Sequence, residues 1–299
     1  MRPVAPDTDR AVLARLRLSA YDLPTRDKIP VIRDLMAAGP GGLAMDIGIG
    51  TGFTTWSVFG ARPTVCVDLD AANLRRYREQ LAASPGAPRP LCVVARATEL
   101  PFKADAFSLV LCSEVFEHLE DDDAAAAELA RVLRADGTAV ITVPYTGIGF
   151  TSFLELLRVK TVHDFPGPEF HVRPGYDEQT LGAVLARHGL EIERHRYYFR
   201  FFTRLTTDAV SAAHLVYQRL VHRRRAWTWS DVAASEASPV FRAYTMVFPV
   251  LRSLSRLDRL LRPLRGFGLV AAVRKRDGAA LSSSASCPRR TGTGSSRRP

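Results

Sequence analysis

Long apolar runs, a secretory leader and paired cysteines are all missing from this chain of 299 residues. No stretch reaches the roughly 18 consecutive apolar residues that a transmembrane helix needs, so none is expected. The opening run Met1-Arg2-Pro3-Val4-Ala5-Pro6-Asp7 has no apolar h-region, which excludes a secretory signal. There are only four cysteines (Cys66, Cys92, Cys112 and Cys287), with no C-x-x-C pair, and three of them sit inside apolar runs. That pattern disfavours a Cys-ligated zinc and a disulfide framework. It fits buried thiols in a reducing compartment, hence a cytoplasmic protein. Internal repeats and a recognisable RNA-binding module are also absent. The remaining composition, 46% hydrophobic and 24% charged, is that of an ordinary globular protein with one or two domains.

Acidic residues are scarce in one region only. Residues 1–193 carry 20 Lys and Arg against 26 Asp and Glu, whereas residues 194–276 carry 17 against 4, nearly all arginine. Two regions with different surfaces follow. Residues 277–299 are rich in Ser, Gly, Arg and Thr with few apolar side chains. They cannot bury enough surface to offset their ordering entropy and are expected to form a disordered basic tail.

Short apolar runs at Leu43–Ile47, Thr64–Val67, Leu91–Ala95, Phe107–Cys112 and Ala139–Val143 are each bounded by Gly, Pro or Asp, as buried parallel strands are. Helical patterns lie between them at Thr54–Phe59, Ala71–Ala83 and Asp122–Arg134, and before them at Asp7–Ala20 and Arg26–Ala38. This alternation predicts an α/β fold with a mostly parallel sheet and helices on both faces. Leu190–Tyr197 and Gly268–Arg274 read as a sixth and a seventh strand. Between those two, Thr207–His222 has a helical period. Val250, Leu251, Leu254, Leu257, Leu260, Leu261 and Leu264 form an apolar stripe, with Arg252, Ser255, Arg256, Arg259 and Arg262 opposite and Pro263 as a stop. The expected organisation is N-terminal helices at 1–39, a core at 40–197, a helical cap inserted at 198–266, the last core strand at 267–276 and the tail at 277–299.

The strongest local signal is Asp46-Ile47-Gly48-Ile49-Gly50-Thr51-Gly52. A strand ends in a carboxylate and runs through a glycine-rich turn into a helix, where backbone approaches a ligand closely and free N–H groups are on offer. About 20 residues on, Asp68 closes the second strand at the position where an acidic residue takes ribose hydroxyls in doubly wound folds. A dinucleotide fingerprint, G-x-G-x-x-G, would need glycine where Phe53 stands, and Asp46 would repel a pyrophosphate. That disfavours a nicotinamide-dependent oxidoreductase. The implied ligand is cationic and phosphate-free, carrying an amino acid and a ribose, which describes S-adenosylmethionine.

On these residues the chain resembles the class I S-adenosylmethionine-dependent methyltransferases, and several motifs follow in order. Leu100-Pro101-Phe102 with Phe107-Ser108-Leu109-Val110 is similar to the family's "LPF…FDLV". Glu128-Leu129-Ala130-Arg131-Val132-Leu133-Arg134-Ala135-Asp136-Gly137 is similar to its "E-x-x-R-V-L-x-P-G-G". The resemblance covers roughly residues 40–197 and implies a Rossmann-like sheet. It also implies a cofactor site of Asp46, Gly48, Gly50, Gly52, Asp68, Leu69, Ala97, Thr98 and Ser113. One departure is Ala95-Arg96-Ala97, where the family often has "G-D-A". Arg96 cannot accept the adenine amino proton, so Ala97, Thr98 or Glu99 must substitute.

Methyl transfer to oxygen needs positioning and a way to lose the acceptor proton. Glu114-Val115-Phe116-Glu117-His118 follows strand four, at the carboxyl edge that faces the crevice in this fold. If the segment is helical, Glu114, Glu117 and His118 share one face and make a site for a divalent cation such as magnesium. The pattern resembles that of metal-dependent O-methyltransferases of ubiquinone-type pathways and of small-RNA 2′-O-methyltransferases. In those a further histidine completes the set, here His171 or alternatively His163. The same pattern also occurs in methyltransferases without a metal, where it closes strand four and caps a helix. Without a metal, His118 or His171 serves as general base, with Glu117 beside them. Tyr145, His163, Arg173 and Tyr176 read as acceptor contacts, because Thr161–Tyr176 is polar, aromatic and irregular.

The cap, with Trp227, Trp229, Phe241, Tyr244 and Phe248, suits an apolar or amphipathic acceptor, although these aromatics also suit the cap's own core. Arg223-Arg224-Arg225 beside the two tryptophans fits either a solvated basic face or peripheral contact with an anionic membrane. The expected activity is methyl transfer to a small-molecule or lipid-linked acceptor at oxygen, with nucleic acid disfavoured. An RNA 2′-O-methyltransferase and a catalytically silent S-adenosylmethionine-binding protein are the alternatives.

Overall fold

The computed structural model describes residues 12, 16, 21–37, 39–147, 171–221 and 239–276. His163, Trp227, Trp229, Arg223–Arg225 and the tail 277–299 lie outside the described residues, as do most of Asp7–Ala20 and the side chain of Phe241. Seven strands form one sheet: β1 (Ala44–Ile47), β2 (Thr64–Asp68), β3 (Leu91–Val94), β4 (Phe107–Ser113), β5 (Leu133–Pro144), β6 (Leu190–Tyr198) and β7 (Gly268–Lys275). Their order across the sheet is β3-β2-β1-β4-β5-β7-β6. The pairs from β3 to β5 are parallel, and β7 is antiparallel to both β5 and β6. The first six strands therefore point the same way, and their carboxyl ends share one edge. This is the mostly parallel Rossmann-like sheet that the sequence predicts.

Both faces are covered. On one side α1 (Leu23–Met36) sets Ile32, Leu35 and Met36 against Ala44, Leu109 and Val140. On the other, α4 (Asp122–Val132) and α5 (Glu178–Ala186) pack Ala126, Leu129 and Leu181 on Met45, Val110 and Ile141. Helices α2 (Phe53–Phe59) and α3 (Ala71–Ala82) complete the first two crossovers. Side chains buried on both faces explain why β1 and β4 are continuous apolar runs rather than alternating ones.

The two motifs on either side of β4 turn out to hold each other. The Glu128 carboxylate accepts the Leu100 N–H at 2.6 Å, and Arg131 donates to the carbonyls of Leu100 and Phe102 at 2.8 and 2.6 Å. Arg131 also pairs with Glu128. A charged pair on α4 thus staples the approach to β4, satisfying backbone groups that no strand partner reaches.

Between β6 and β7 the chain forms α6 (Phe201–Val221), α7 (Pro239–Ser255) and a 3-10 turn (Arg256–Leu261). Most of the apolar stripe on this segment faces outward. Val250, Leu254, Leu257, Leu260 and Leu264 are exposed, and the buried side of this segment is Phe248, Ser255 and Asp258. The reason is a different set of anchors. Asp258 accepts the N–H groups of Phe202 and Thr203 at 2.7 and 3.0 Å, capping the start of α6. Tyr244 donates to the Tyr21 carbonyl at 2.6 Å, and Phe248 stacks edge-on against the Tyr21 ring with centroids 4.9 Å apart. These contacts fix the rotation of α7 and turn its leucines outward. The expected single helix also breaks at Ser255, short of Pro263.

Asp258→Ala leaves two helix-start N–H groups buried and unpaired. It should lower the unfolding free energy by about 1–2 kcal/mol, read as a lower midpoint in chemical denaturation. An unchanged midpoint would show that the cap contributes nothing.

Candidate functional site

The glycine turn after β1 adopts the geometry its sequence demands. Gly48, Gly50 and Gly52 all have positive φ, at 75°, 52° and 77°. A Cβ on Gly52 would lie 2.1 Å from the Tyr77 ring, whereas one on Gly50 would meet nothing. The turn is therefore closed on its inner side and open on its outer side. Asp68 at the end of β2 is buried and holds this shape: Oδ2 accepts the Gly50 N–H at 3.0 Å and Oδ1 accepts that of Asp70 at 2.8 Å. Asp46 is 2% exposed. Its Oδ2 accepts the Thr55 hydroxyl at 2.6 Å and its Oδ1 has no hydrogen-bond partner. Burial pushes its carboxyl up to about 7, against the Thr55 hydrogen bond and the Lys28 charge. An orphaned, buried carboxylate oxygen beneath a neutral glycine turn fits a cationic ligand such as a sulfonium donor with an ammonium group. Leu69 beside Asp68 is 63% exposed. Ala97 and Thr98 are half-buried after β3, beside the exposed Arg96.

The E-x-x-E-H segment differs from its expected shape. Glu114 has φ of 57°, so the helical path is broken at its first member and only Phe116–His118 form a 3-10 turn. Glu114 consequently leaves the set formed by Glu117, His118 and His171, yet stays close enough for its charge to act on Glu117. It accepts the hydroxyls of Thr142 and Tyr198 at 2.7 and 2.6 Å and pairs with Lys28 at 3.7 Å. Burial raises its carboxyl, but Lys28 and the two hydroxyls outweigh that and hold it below its ordinary value. Because Thr142 donates its single proton to Glu114, the 2.9 Å contact between Ser113 and Thr142 has Ser113 as donor. A cofactor-side residue is thereby linked to Glu114 through one hydroxyl.

Glu117 has no exposed surface and neither carboxylate oxygen has a hydrogen-bond partner. Burial first, and the neighbouring Glu114 charge second, push its carboxyl up to about 9. Next to it, the rings of His118 and His171 meet edge-on with centroids 4.6 Å apart. One ligand atom each from Glu117, His118 and His171 lie within 4.8 Å of one another, and the set excludes Glu114. Three of the four predicted ligands are thus brought together, and the fourth is committed to Lys28. The two nitrogens and one carboxylate suit a first-row divalent ion, and the orphaned Glu117 oxygens fit such a ligand.

The predicted acceptor residues divide. Tyr145 follows β5 at the crevice, with its ring against Tyr197 and the Arg265 guanidinium 5.8 Å from its centroid. Arg173 and Tyr176 instead serve the frame. Arg173 pairs with Asp122 and donates to the Leu119 carbonyl at 2.8 Å, and the Tyr176 hydroxyl donates to Asp122 at 2.7 Å. Together they clamp the returning chain onto the start of α4. Lys28 and Tyr198 were missed at the sequence level. Lys28 carried a signal, since it falls on the same stripe of α1 as Ile32 and Leu35, where a charge needs a buried partner.

Residues 45–141 match the family described as "Methyltransferase domain". A curated relative, malonyl-[acyl-carrier protein] O-methyltransferase of Geobacter sulfurreducens, is 30% identical over 149 residues, 48% of this chain and 54% of that protein. The chain thus spans about half of that relative's length. Among solved structures, the [4+2]-cyclase SpnF superposes with a TM-score of 0.52 at 16% identity, over 84% of this chain and 81% of the other. Phosphoethanolamine N-methyltransferase 2 of Haemonchus contortus, solved with S-adenosyl-L-methionine, gives 0.50 at 16%, over 83% and 52%. These likenesses establish the fold.

Glu117 holds a proton in the folded protein that the unfolded chain releases above pH 4.5. Its folded pKa is raised, so stability is full below 4.5 and is lost as pH rises toward about 9. Glu117→Gln removes that dependence. The variant should gain stability relative to wild type steadily across this window in metal-free denaturation; parallel curves for the two proteins would refute it.

Proposed function

We propose that this chain, whose residues 45–141 match a methyltransferase domain, is an S-adenosylmethionine-dependent methyltransferase acting on an oxygen of a small-molecule or lipid-linked acceptor. The observation that carries the reading is the open glycine turn, held by Asp68 through Gly50 and underlain by the orphaned Asp46 oxygen. When bound there, the donor supplies a methyl group on a positively charged sulfur, already activated for displacement. Asp46 balances positive charge from beneath the turn, and Asp68 presents its remaining lone pairs to ribose hydroxyls.

Transfer of that methyl to an acceptor oxygen would leave the carbon–sulfur electron pair on sulfur. The acceptor proton then needs a base at the crevice. His118 and His171 stand there side by side, and the imidazole of either takes that proton. Glu117, kept protonated by burial, lends no negative charge to the pair until a cation or a proton shift draws it into ionisation. A divalent ion held by Glu117, His118 and His171 would supply Lewis-acid polarisation of an acceptor hydroxyl. Glu114 serves as a positioning group, because Thr142, Tyr198 and Lys28 all converge on its Oε1.

The relative from Geobacter sulfurreducens is named an O-methyltransferase, which supports oxygen as the acceptor atom. The proposed setting is cytoplasmic, with peripheral membrane contact through the basic region. No helix among the described residues is long and apolar enough to cross a membrane.

Calorimetric titration with S-adenosylhomocysteine should show binding, weakened about tenfold or more, roughly 1.4 kcal/mol, by Asp68→Ala. Labelled methyl from the donor should then enter a product in a host metabolite and lipid extract. Sensitivity of that label to a chelator, and recovery with added divalent ion, is expected if Glu117, His118 and His171 act through a metal. Folded protein that binds no S-adenosylhomocysteine would overturn the assignment.

A further inference from the structure

Helix α7 presents its apolar side to solvent. Met246, Val250 and Leu254 recur every four residues and are 80%, 63% and 44% exposed, with Val247 beside them at 50%. Leu257 and Leu260 continue the strip through the 3-10 turn. The inward side is already filled by Tyr244, Phe248 and Asp258, so the helix cannot rotate to hide these residues. A continuous exposed strip of this kind marks an interaction surface.

The charge around the strip selects the partner. Arg256, Arg259 and Arg262 flank it and are exposed, as is Arg242 at its other end. The sole acidic residue between 239 and 266 is Asp258, which is 2% exposed and engaged by the N–H groups of Phe202 and Thr203. Within 239–266 no exposed carboxylate accompanies the arginines, and Asp27 of α1, an acidic group on another described element, is largely withdrawn into the fold and acts on Arg259 alone of the three. A second copy docked through the same face would set arginines against arginines, because a two-fold contact pairs a patch with itself. An apolar strip with a purely cationic rim on a helix lying along the molecule complements an anionic lipid surface: side chains enter the acyl boundary and guanidinium groups meet headgroup phosphates.

We propose that α7 and the turn after it form an interfacial face that seats the protein on an anionic membrane. The face ends beside the crevice, since Leu264 is exposed and Arg265 lies over the Tyr145 ring at 5.8 Å. Docking would set the Tyr145 margin of the crevice against the lipid. Only this last consequence, delivery of an amphipathic acceptor along the membrane, rests on the methyltransferase reading. The docking itself is independent of turnover.

The test is sedimentation of the full chain with vesicles of phosphatidylcholine alone and with about 30% phosphatidylglycerol, at roughly 0.1 M and 0.5 M salt. The expected result is binding to the anionic vesicles, little to the zwitterionic ones, and loss of most of it at the higher salt. Arg256→Glu/Arg259→Glu should weaken binding about tenfold or more, since each basic group near such a surface contributes about fivefold. Val250→Asp/Leu254→Asp, at exposed positions outside the fold's core, should do the same while leaving the denaturation midpoint and S-adenosylhomocysteine binding in place. Equal binding by both variants and wild type, or no binding to anionic vesicles, would overturn the proposal. So would a wild-type dimer in sedimentation velocity that Val250→Asp/Leu254→Asp dissociates, which would assign the face to self-association.

Discussion

One half-buried carboxylate organises the crevice. Glu114 stands at the end of β4, where the chain must leave the sheet, and it does so in a left-handed conformation that a non-glycine residue adopts only when its surroundings hold it there. What holds it is a set of partners drawn from three other elements: Lys28 of α1, Thr142 of β5 and Tyr198 of β6. A charge partly withdrawn from water is favoured by a countercharge and hydrogen-bond donors, and each donor ties down the element that carries it. The position of α1 across the sheet, the end of β6 and the turn toward His118 are thus consequences of a single electrostatic requirement.

The same requirement divides the labour among four acidic groups. Asp68 spends its oxygens on the backbone of the glycine turn and keeps the cofactor cradle in shape. Glu114 is held below the ordinary carboxylate range, with Lys28, Tyr198 and Thr142 gathered on its Oε1. Asp46 and Glu117 are buried with oxygens that find no partner in the protein, one on each side of the crevice. Burial raises the pKa of both, so the unliganded site carries less negative charge than its four carboxyl groups suggest. A cationic ligand at either group reverses that, because the arriving charge favours ionisation.

Most of the fold was legible because it rests on local rules. Continuous apolar runs bounded by Gly, Pro and Asp became the strands, and the ordered glycine turn fell where a strand meets a helix. The E-x-x-R and L-P-F motifs were legible as a resemblance, and their mutual hydrogen bonds explain why the two travel together. What failed depended on contacts distant in sequence. Helical spacing put Glu114 with Glu117 and His118, but Lys28, 86 positions upstream, and Tyr198, 84 downstream, pulled it out of register. Periodicity found the stripe on α7 yet not which way it faces, since that is set by Tyr21 and by the cap from Asp258. Arg173 and Tyr176 have the composition of a binding loop, but Asp122 claims both.

The placement of β7 has a consequence for the order in which the molecule assembles. Residues 268–275 lie between β5 and β6, both of which leave the ribosome well before them. Until β7 arrives, the nascent sheet is split, with an unpaired edge on each side of the gap. Helices α6 and α7 are made during that interval. They join the end of β6 to the beginning of β7 and dock on α1 in the finished molecule. Closure of the sheet is therefore a late, long-range event, and the exposed edge of β5 is the site most open to mispairing while synthesis is under way.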